Sequence, residues 1–121
     1  MNTLEVGNKL CALCREFKFT EAMESLYDKD IVSVEAAEMP GMPREVKGLA
    51  AVREKAKRWE EANTIHSAAT EGPYPNGDRF AVRFTLDVSN KPTGERRKLD
   101  EIALYTVKNG KIVREDFFYA M

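Results

Sequence analysis

Asp100, Glu115 and Tyr119 are the residues of this chain whose types and spacing could move a proton. Asn109-Gly110 lies between two alternating runs, KLDEIALYTVK and KIVREDFFY. An Asn-Gly pair there is a strong hairpin signal, because both central residues of a type I′ turn need positive φ. The turn predicts Thr106 opposite Val113, Leu104 opposite Glu115, Ile102 opposite Phe117 and Asp100 opposite Tyr119, all on one face of the sheet. Ile102, Leu104, Val113 and Phe117 make that face apolar, and so the expected core face. Asp100 and Glu115 are thereby expected among hydrophobes. A carboxyl in such a place resists ionisation and could act as acid or base near neutral pH. Tyr119 could donate a hydrogen bond to Asp100 or to a substrate oxyanion. The competing reading leaves Asp100 and Tyr119 in water at the sheet's open end and pairs Glu115 with an arginine.

His66 is the only histidine and could serve as a lone general base. The Asn76-Gly77 turn puts it opposite Asp87 on the outer side, unless Pro73 and Pro75 introduce a bulge that flips it. Cys11 and Cys14 form a C-x-x-C inside a helical stripe with no second ligand pair, a pattern of core packing rather than of zinc or redox chemistry. Trp59, Tyr27, Met23, Phe17 and Met39 could line a pocket, although their helical spacing also suits a core. No P-loop, dinucleotide fingerprint, nucleophile elbow or metal-ligand spacing occurs, so neither cofactor nor metal is expected.

The elements that must position these residues follow from the apolar pattern. Asn2 with Glu5 fits an N-cap and capping box. Leu4, Leu10, Cys11, Cys14 and Phe17 recur at helical spacing, which predicts a helix over about residues 3 to 17. Thr20 is expected to cap a short second helix carrying Ala22, Met23, Leu26 and Tyr27. Ile31 to Ala36 reads as a first strand and residues 39 to 43 as a Pro/Gly loop. A third helix over about residues 49 to 62 has Leu49, Val52, Ala56 and Trp59 as its apolar stripe, with Lys55 among its solvent-side charges. Thr64 to Glu71, Asp78 to Ser89 and the two runs above complete a meander. A three-residue loop at Pro92-Thr93-Gly94 predicts Phe84 opposite Ile102, Val82 opposite Leu104 and Leu86 opposite Asp100. Glu101, Tyr105, Arg114, Asp116 and Phe118 then fall on the outer face. Helices followed by strands argue for α+β, with three helices on one face of a curved, mostly antiparallel sheet.

With 121 residues, 43% hydrophobic and 32% charged, the chain is expected to form a single domain spanning residues 1–121. The net charge of −1 with interleaved signs supplies no basic field for nucleic acid. No apolar run is long enough for a bilayer, and the N-terminal residues lack the regions of a signal peptide. These features predict a cytoplasmic protein with no membrane partner and no structural disulfide.

Three stretches resemble the nuclear transport factor 2-like superfamily, which includes ketosteroid isomerases and SnoaL-type polyketide cyclases. Leu26-Tyr27-Asp28-Lys29-Asp30-Ile31 is similar to its entry to strand one, Gly48-Leu49-Ala50-Ala51-Val52-Arg53-Glu54 to its "G-x-x-A-I-R" helix start, and Tyr105 to Ile112 to its "F-x-D-G-K-I" hairpin. The resemblance implies a cone-shaped α+β fold with a pocket between sheet and helices, and a homodimer formed through the other sheet face. Tyr27, Trp59, Phe84, Ile102, Leu104 and Phe117 would line that pocket, around a small hydrophobic ligand. Where the isomerases have "V-E-D-P" with a catalytic Asp, this chain has Val34-Glu35-Ala36-Ala37. Glu38 could substitute only if the chain bends it inward. The isomerases' neutral Asp falls near Ile102 in the predicted register, on the face of Asp100 but two residues on.

Two functions fit. One is a cofactor-independent isomerase, cyclase or hydratase acting by acid/base chemistry on a small hydrophobic carbonyl compound, with Asp100 or Glu115 moving the proton and Tyr119 steadying the oxyanion. The other is a non-catalytic ligand-binding or dimeric interaction module of the same fold.

Overall fold

The computed structural model describes residues 1–38 and 41–120. Three helices, α1 (Thr3–Arg15), α2 (Phe19–Leu26) and α3 (Leu49–Ala62), accompany six strands: β1 (Tyr27–Val34), β2 (Glu45–Lys47), β3 (Asn63–Asn76), β4 (Arg79–Asn90), β5 (Arg96–Lys108) and β6 (Lys111–Phe118). The strands form one sheet in the order β2-β1-β6-β5-β4-β3. Every pairing is antiparallel except β1 with β6, which is parallel and joins distant parts of the chain. The helices lie on one face of this open, curved sheet, as the apolar stripes require.

Local signals place most elements. Asn2 caps α1 and completes a capping box with Glu5. Helix α2 begins earlier than expected, with Lys18 rather than Thr20 at the N-cap and no side-chain cap. Strand β1 starts at Tyr27 and ends at Val34, so it is shifted towards the N-terminus of the expected run. Strand β2 had no sequence signal, being a short edge strand. Strand β3 runs on through Gly72 and Pro73, where its register on β4 slips between Glu71 and Tyr74.

The strand registers correct the expected core face of β5. The β4–β5 connection is Lys91–Gly94, one residue longer than the loop assumed. Asn90 N–H donates to the Glu95 carbonyl at 2.8 Å, and Gly94 takes φ +72°. Phe84 therefore pairs with Glu101, Val82 with Ala103, Phe80 with Tyr105 and Leu86 with Leu99. On the other side of β5, the Asn109-Gly110 turn forms as expected, but Val113 is an extra residue. Val107 pairs with Ile112, then Thr106 with Arg114 and Tyr105 with Glu115. The inward face of β5 is thus Leu99, Glu101, Ala103, Tyr105 and Val107. Asp100, Ile102 and Leu104 point outward, and Ile102 is 40% exposed. Glu115 and Phe117 remain inward, because the bulge reverses β6 after Ile112.

The core between sheet and helices holds Val6, Leu10, Cys11, Leu26, Ile31, Val52, Phe80, Val82, Ala103 and Ile112. The Tyr105 ring stacks on Phe80 with centroids 5.0 Å apart. Cys11 and Cys14 are buried free thiols, and burial pushes the Cys14 thiol up to about 12, which makes it inert. No helix among the described residues is long and apolar enough to cross a membrane.

Candidate functional site

The inward face of the sheet carries a polar cluster at its centre, where β1, β6 and β5 lie side by side under α3. Ile31, Ser33 and Glu35 alternate along β1 and just past its end, so Ser33 and Glu35 share the face of the core residue Ile31. Ser33 is fully buried and is the register partner of Glu115 on β6. Glu115 is 3% exposed. Its Oε2 accepts a hydrogen bond from the hydroxyl of Tyr27, at the start of β1.

From above, α3 lowers Lys55 into the cluster. Lys55 lies three residues after Val52 and four before Trp59, so helical spacing keeps it beside the apolar stripe. Its Nζ donates to Ser33 Oγ at 2.7 Å and to Glu35 Oε1 at 2.7 Å, and it sits 5.4 Å from the centroid of the Phe117 ring. Both partners of the Lys55–Glu35 pair are largely buried, with side chains 13% and 19% exposed. The Tyr119 hydroxyl donates to the other oxygen of Glu35 at 2.9 Å. Glu101, on the inward face of β5, completes the group.

Electrostatics follow from three carboxylates sharing one ammonium. Burial raises the Glu101 carboxyl from 4.5 to about 7, the negative charges of Glu35 and Glu115 push the same way, and Lys55 only partly opposes them. Glu115 is also raised, by burial, against the hydrogen bond from Tyr27, the neighbouring Ser33 hydroxyl and the charge of Lys55. Burial is likewise the main reason that Tyr27 and Tyr105 ionise well above the ordinary tyrosine range. Tyr119 is pushed up to about 12 by burial and by its bond to Glu35. All three phenols are therefore hydrogen-bond donors at neutral pH, and Glu101 is the group poised to exchange a proton there.

Of the residues singled out from sequence, the structure brings together Glu115, Tyr119, Tyr27 and Phe117. Tyr119 meets Glu35 rather than Asp100. Asp100 lies on the outer face in a bidentate pair with Arg83, at 3.0 and 2.7 Å, and that guanidinium holds its carboxyl below the usual range. Ile102 and Leu104, expected in the pocket, share that outer face because of the β5 register. His66 is exposed, at the slip between Ile65 and Ser67, with its Nε2 2.6 Å from Ser89 Oγ, and Ser67 takes the expected place opposite Asp87. Glu38 is exposed. The acid that enters from this part of the chain is Glu35, before the two alanines. Phe84 and Trp59 are partly buried, Phe84 against the core. Met23 is core and Phe17 is 51% exposed, while Met39 lies outside the described residues.

Sequence reasoning missed Ser33, Glu35, Lys55 and Glu101. The alternation Ile31-Ser33-Glu35 and the spacing Val52-Lys55-Trp59 were the available signals for three of them. Glu101 had none without the correct loop length.

A cleft of about 150 Å³ at the end of β1 and β6 is lined by Val34, Glu35, Ala36, Arg44, Asp116, Phe117, Phe118 and Tyr119. It brings Glu35 and Tyr119, two members of the cluster, to a surface that a small molecule can reach. A larger groove of about 350 Å³ runs between α2 and α3, but Arg53, Glu54, Lys57 and Glu60 line it with exposed charges and no buried chemistry. Among the described residues, no group of three or more His, Cys, Asp or Glu side chains is arranged to hold a metal ion.

Comparison with known proteins agrees with this architecture. The SnoaL-like domain family matches residues 1–119. A crystal structure from Mesorhizobium loti, named for a proposed SnoaL-like polyketide cyclase [carbohydrate phosphatase], is 43% identical with a TM-score of 0.93, covering 98% of this chain and 100% of that one. A Bacillus subtilis protein named for a proposed isomerase is 22% identical, with a TM-score of 0.80 over 99% of this chain and 90% of that one. TerC, co-crystallised with polyporic acid, is 20% identical, with a TM-score of 0.74 over 98% of this chain and 91% of that one. The last two share the fold alone. No curated protein matches the chain significantly.

Proposed function

We propose that this chain, which belongs to the SnoaL-like domain family, is a cofactor-independent acid/base catalyst acting on a small hydrophobic carbonyl compound, in an isomerase, cyclase or hydratase reaction. The observation that carries the reading is the convergence of Glu35, Glu101, Glu115 and Lys55 on the inward face, with Glu101 raised to about 7. A carboxyl that titrates there can both take and return a proton at neutral pH. Glu101 is partly exposed and is the proton carrier in this reading. Glu115 supplies negative charge behind it, and the Tyr119 phenol is a donor for an oxyanion. The names of the M. loti and B. subtilis structures fit the same class of chemistry.

A second reading, a non-catalytic ligand-binding or interaction module, is favoured by two observations. The strand-one base position is occupied by Ala36, and Lys55 and Glu35 already satisfy one another. In either reading the chain forms a homodimer through its outer sheet face. Ile102 and Phe118 are register partners there, exposed to 40% and 55%. Tyr105, which the sequence suggested for that face, is core instead.

The two functional readings separate on proton exchange. Deuterium uptake from D2O at the carbon next to a carbonyl is followed by NMR for a panel of small cyclic ketones. The enzyme reading expects catalysed exchange that Glu101→Gln reduces by about 100-fold or more. Saturable ketone binding with no exchange above buffer selects the binding module.

A further inference from the structure

We propose that the cleft at the end of β1 and β6 is a subsite for a small carboxylate with a flat apolar body, and that Arg44 is the residue that grips its carboxylate. The proposal deepens the acid/base reading by naming a substrate class, a carbonyl compound that also bears an acid group. It rests on that reading for its catalytic meaning, though not for its test.

Arg44 stands one residue before β2, and side chains alternate along a strand. Val46 packs against the core and is the register partner of the buried Ser33. Arg44 therefore belongs to the same side as Val46, and Glu45 to the other. The β1–β2 pairing runs one step beyond Val34 and Glu45, where Glu35 N–H donates to the Arg44 carbonyl at 2.9 Å. The Arg44 Nε–H returns a bond to the Glu35 carbonyl, also at 2.9 Å. The guanidinium is thus tied to the backbone of an acid of the cluster. Its two terminal nitrogens form the fork that fits a carboxylate, and they have no protein acceptor among the described residues.

Two acids line the cleft, and each has its own cation. Glu35 has Lys55 at 2.7 Å, and Asp116 has Arg114 at 2.9 Å. Both oxygens of Glu35 are occupied, one by Lys55 and the other by the Tyr119 hydroxyl. Glu45, on the opposite side of its strand, is matched by Lys47 at 3.7 Å. Arg44 is left as the cation of this cleft with no acid set against it among the described residues. The wider groove between α2 and α3 offers no such opening, because Arg53 is paired with Glu24 and Lys57 with Glu61. Phe117, Phe118 and Tyr119 supply apolar walls, and a space of about 150 Å³ suits a benzene-sized ring. The Phe117 ring both lines the cleft and lies 5.4 Å from Lys55 Nζ. A ring resting on Phe117 with its carboxylate on Arg44 sits beside the Lys55–Glu35 pair.

The test reads binding rather than turnover. Two-dimensional amide NMR follows titration of the full chain with benzoate, and with benzamide as its neutral match in shape. Benzoate should bind with a Kd of about 1 mM or tighter and move the signals of Glu35, Ala36, Phe117 and Tyr119. Benzamide should bind about 10-fold more weakly or worse. Arg44→Gln should abolish that difference, weakening benzoate about 10-fold and leaving benzamide as it was. Arg44→Lys should fall between, because it keeps the charge and loses the fork. Equal binding of the two probes to the parent overturns the proposal, as does benzoate binding that Arg44→Gln leaves intact. Two further results overturn it: no saturable binding of benzoate up to about 20 mM, or shifts that gather at Arg53 and Lys57 instead. If Arg44→Gln does not fold, Arg44→Lys and the comparison of probes on the parent decide. Absence of ketone exchange in the parent would sink the catalytic reading while leaving these affinities in place.

Discussion

Replacing Glu101 by glutamine should stabilise the protein at alkaline pH and leave it almost unchanged in acid. The folded protein holds this proton up to about pH 7, whereas its ordinary value is 4.5. Below pH 4.5 both states carry the proton and the group contributes nothing to the difference. Between 4.5 and 7 the unfolded chain has released it and the folded chain has not, so the folded state binds more protons and stability falls as pH rises. Above about 7 the loss is complete, at about 1.4 kcal/mol per pH unit of difference, or about 3 kcal/mol in all. Glu101 is partly exposed, and water screening reduces this to about 2 kcal/mol. Glutamine has nearly the same shape and no charge, so it removes the loss. For a domain of this size about 2 kcal/mol corresponds to a rise in melting temperature of roughly 6–10 °C. Thermal unfolding of parent and Glu101→Gln, measured every half unit from about pH 4 to about pH 9, should give curves that meet in acid and diverge above about pH 6. A constant offset across the range, or a variant less stable than the parent at the alkaline end, would refute the reasoning. The second result would mean that Lys55 favours the Glu101 carboxylate more than burial and the other acids oppose it.

Further expectations follow from the same geometry. Glu115→Gln should hold or raise the melting temperature at mildly alkaline pH, since Lys55 keeps Glu35, while weakening ketone exchange or binding; a large loss of stability with ligand binding intact would end its functional role. Asp100→Asn removes an exposed pair on the outer face and should change neither the melting temperature nor exchange appreciably, which the same two assays check. Gly7→Ala would place a Cβ 2.8 Å from Pro73 Cβ and 3.2 Å from the Phe80 ring; it should cost about 1–3 kcal/mol in chemical denaturation despite alanine's better helix propensity. Ile102→Glu on the outer face should shift sedimentation from a dimer to the 13.7 kDa chain, and a parent already monomeric at high micromolar concentration would refute the dimer.

The helices were legible because each carries its own apolar stripe, and α1 also its own cap, whereas α2 has no side-chain cap and its start was misplaced. The Asn2–Glu5 capping box and the Leu49-Val52-Ala56 spacing are local and survive folding unchanged. The site was only partly legible because its composition depends on strand parity, which a single residue reverses. One extra loop residue before β5 moved Glu101 in and Asp100 out, and Val113 then restored Glu115. The bulky pair Ile102 and Leu104 made the outer side of β5 look like the core side, whereas the actual inward side mixes Ala103 and Tyr105 with Glu101. Lys55 was hidden differently: a charge in a run of charges reads as solvent-facing, although its spacing from Val52 set it on the buried edge of the stripe.

The parallel seam between β1 and β6 also bears on the order in which the molecule acquires its chemistry. Tyr27 and Glu115 are 88 residues apart in the chain, and Glu35 and Tyr119 are 84 apart. Strands β3 to β6 are joined by short turns and can pair through local closures, but bringing β1 alongside β6 closes a loop that spans most of the chain. The carboxylates therefore meet their donors late, after most of the sheet has formed. In a refolding experiment, strand pairing across the meander should be protected first, and the tyrosine–carboxylate bond that marks the site should belong to the slowest phase. A chain caught before that step would hold strands β3 to β6, with Glu101 and Glu115 on adjacent strands but without Tyr27, Ser33 and Glu35 beside them.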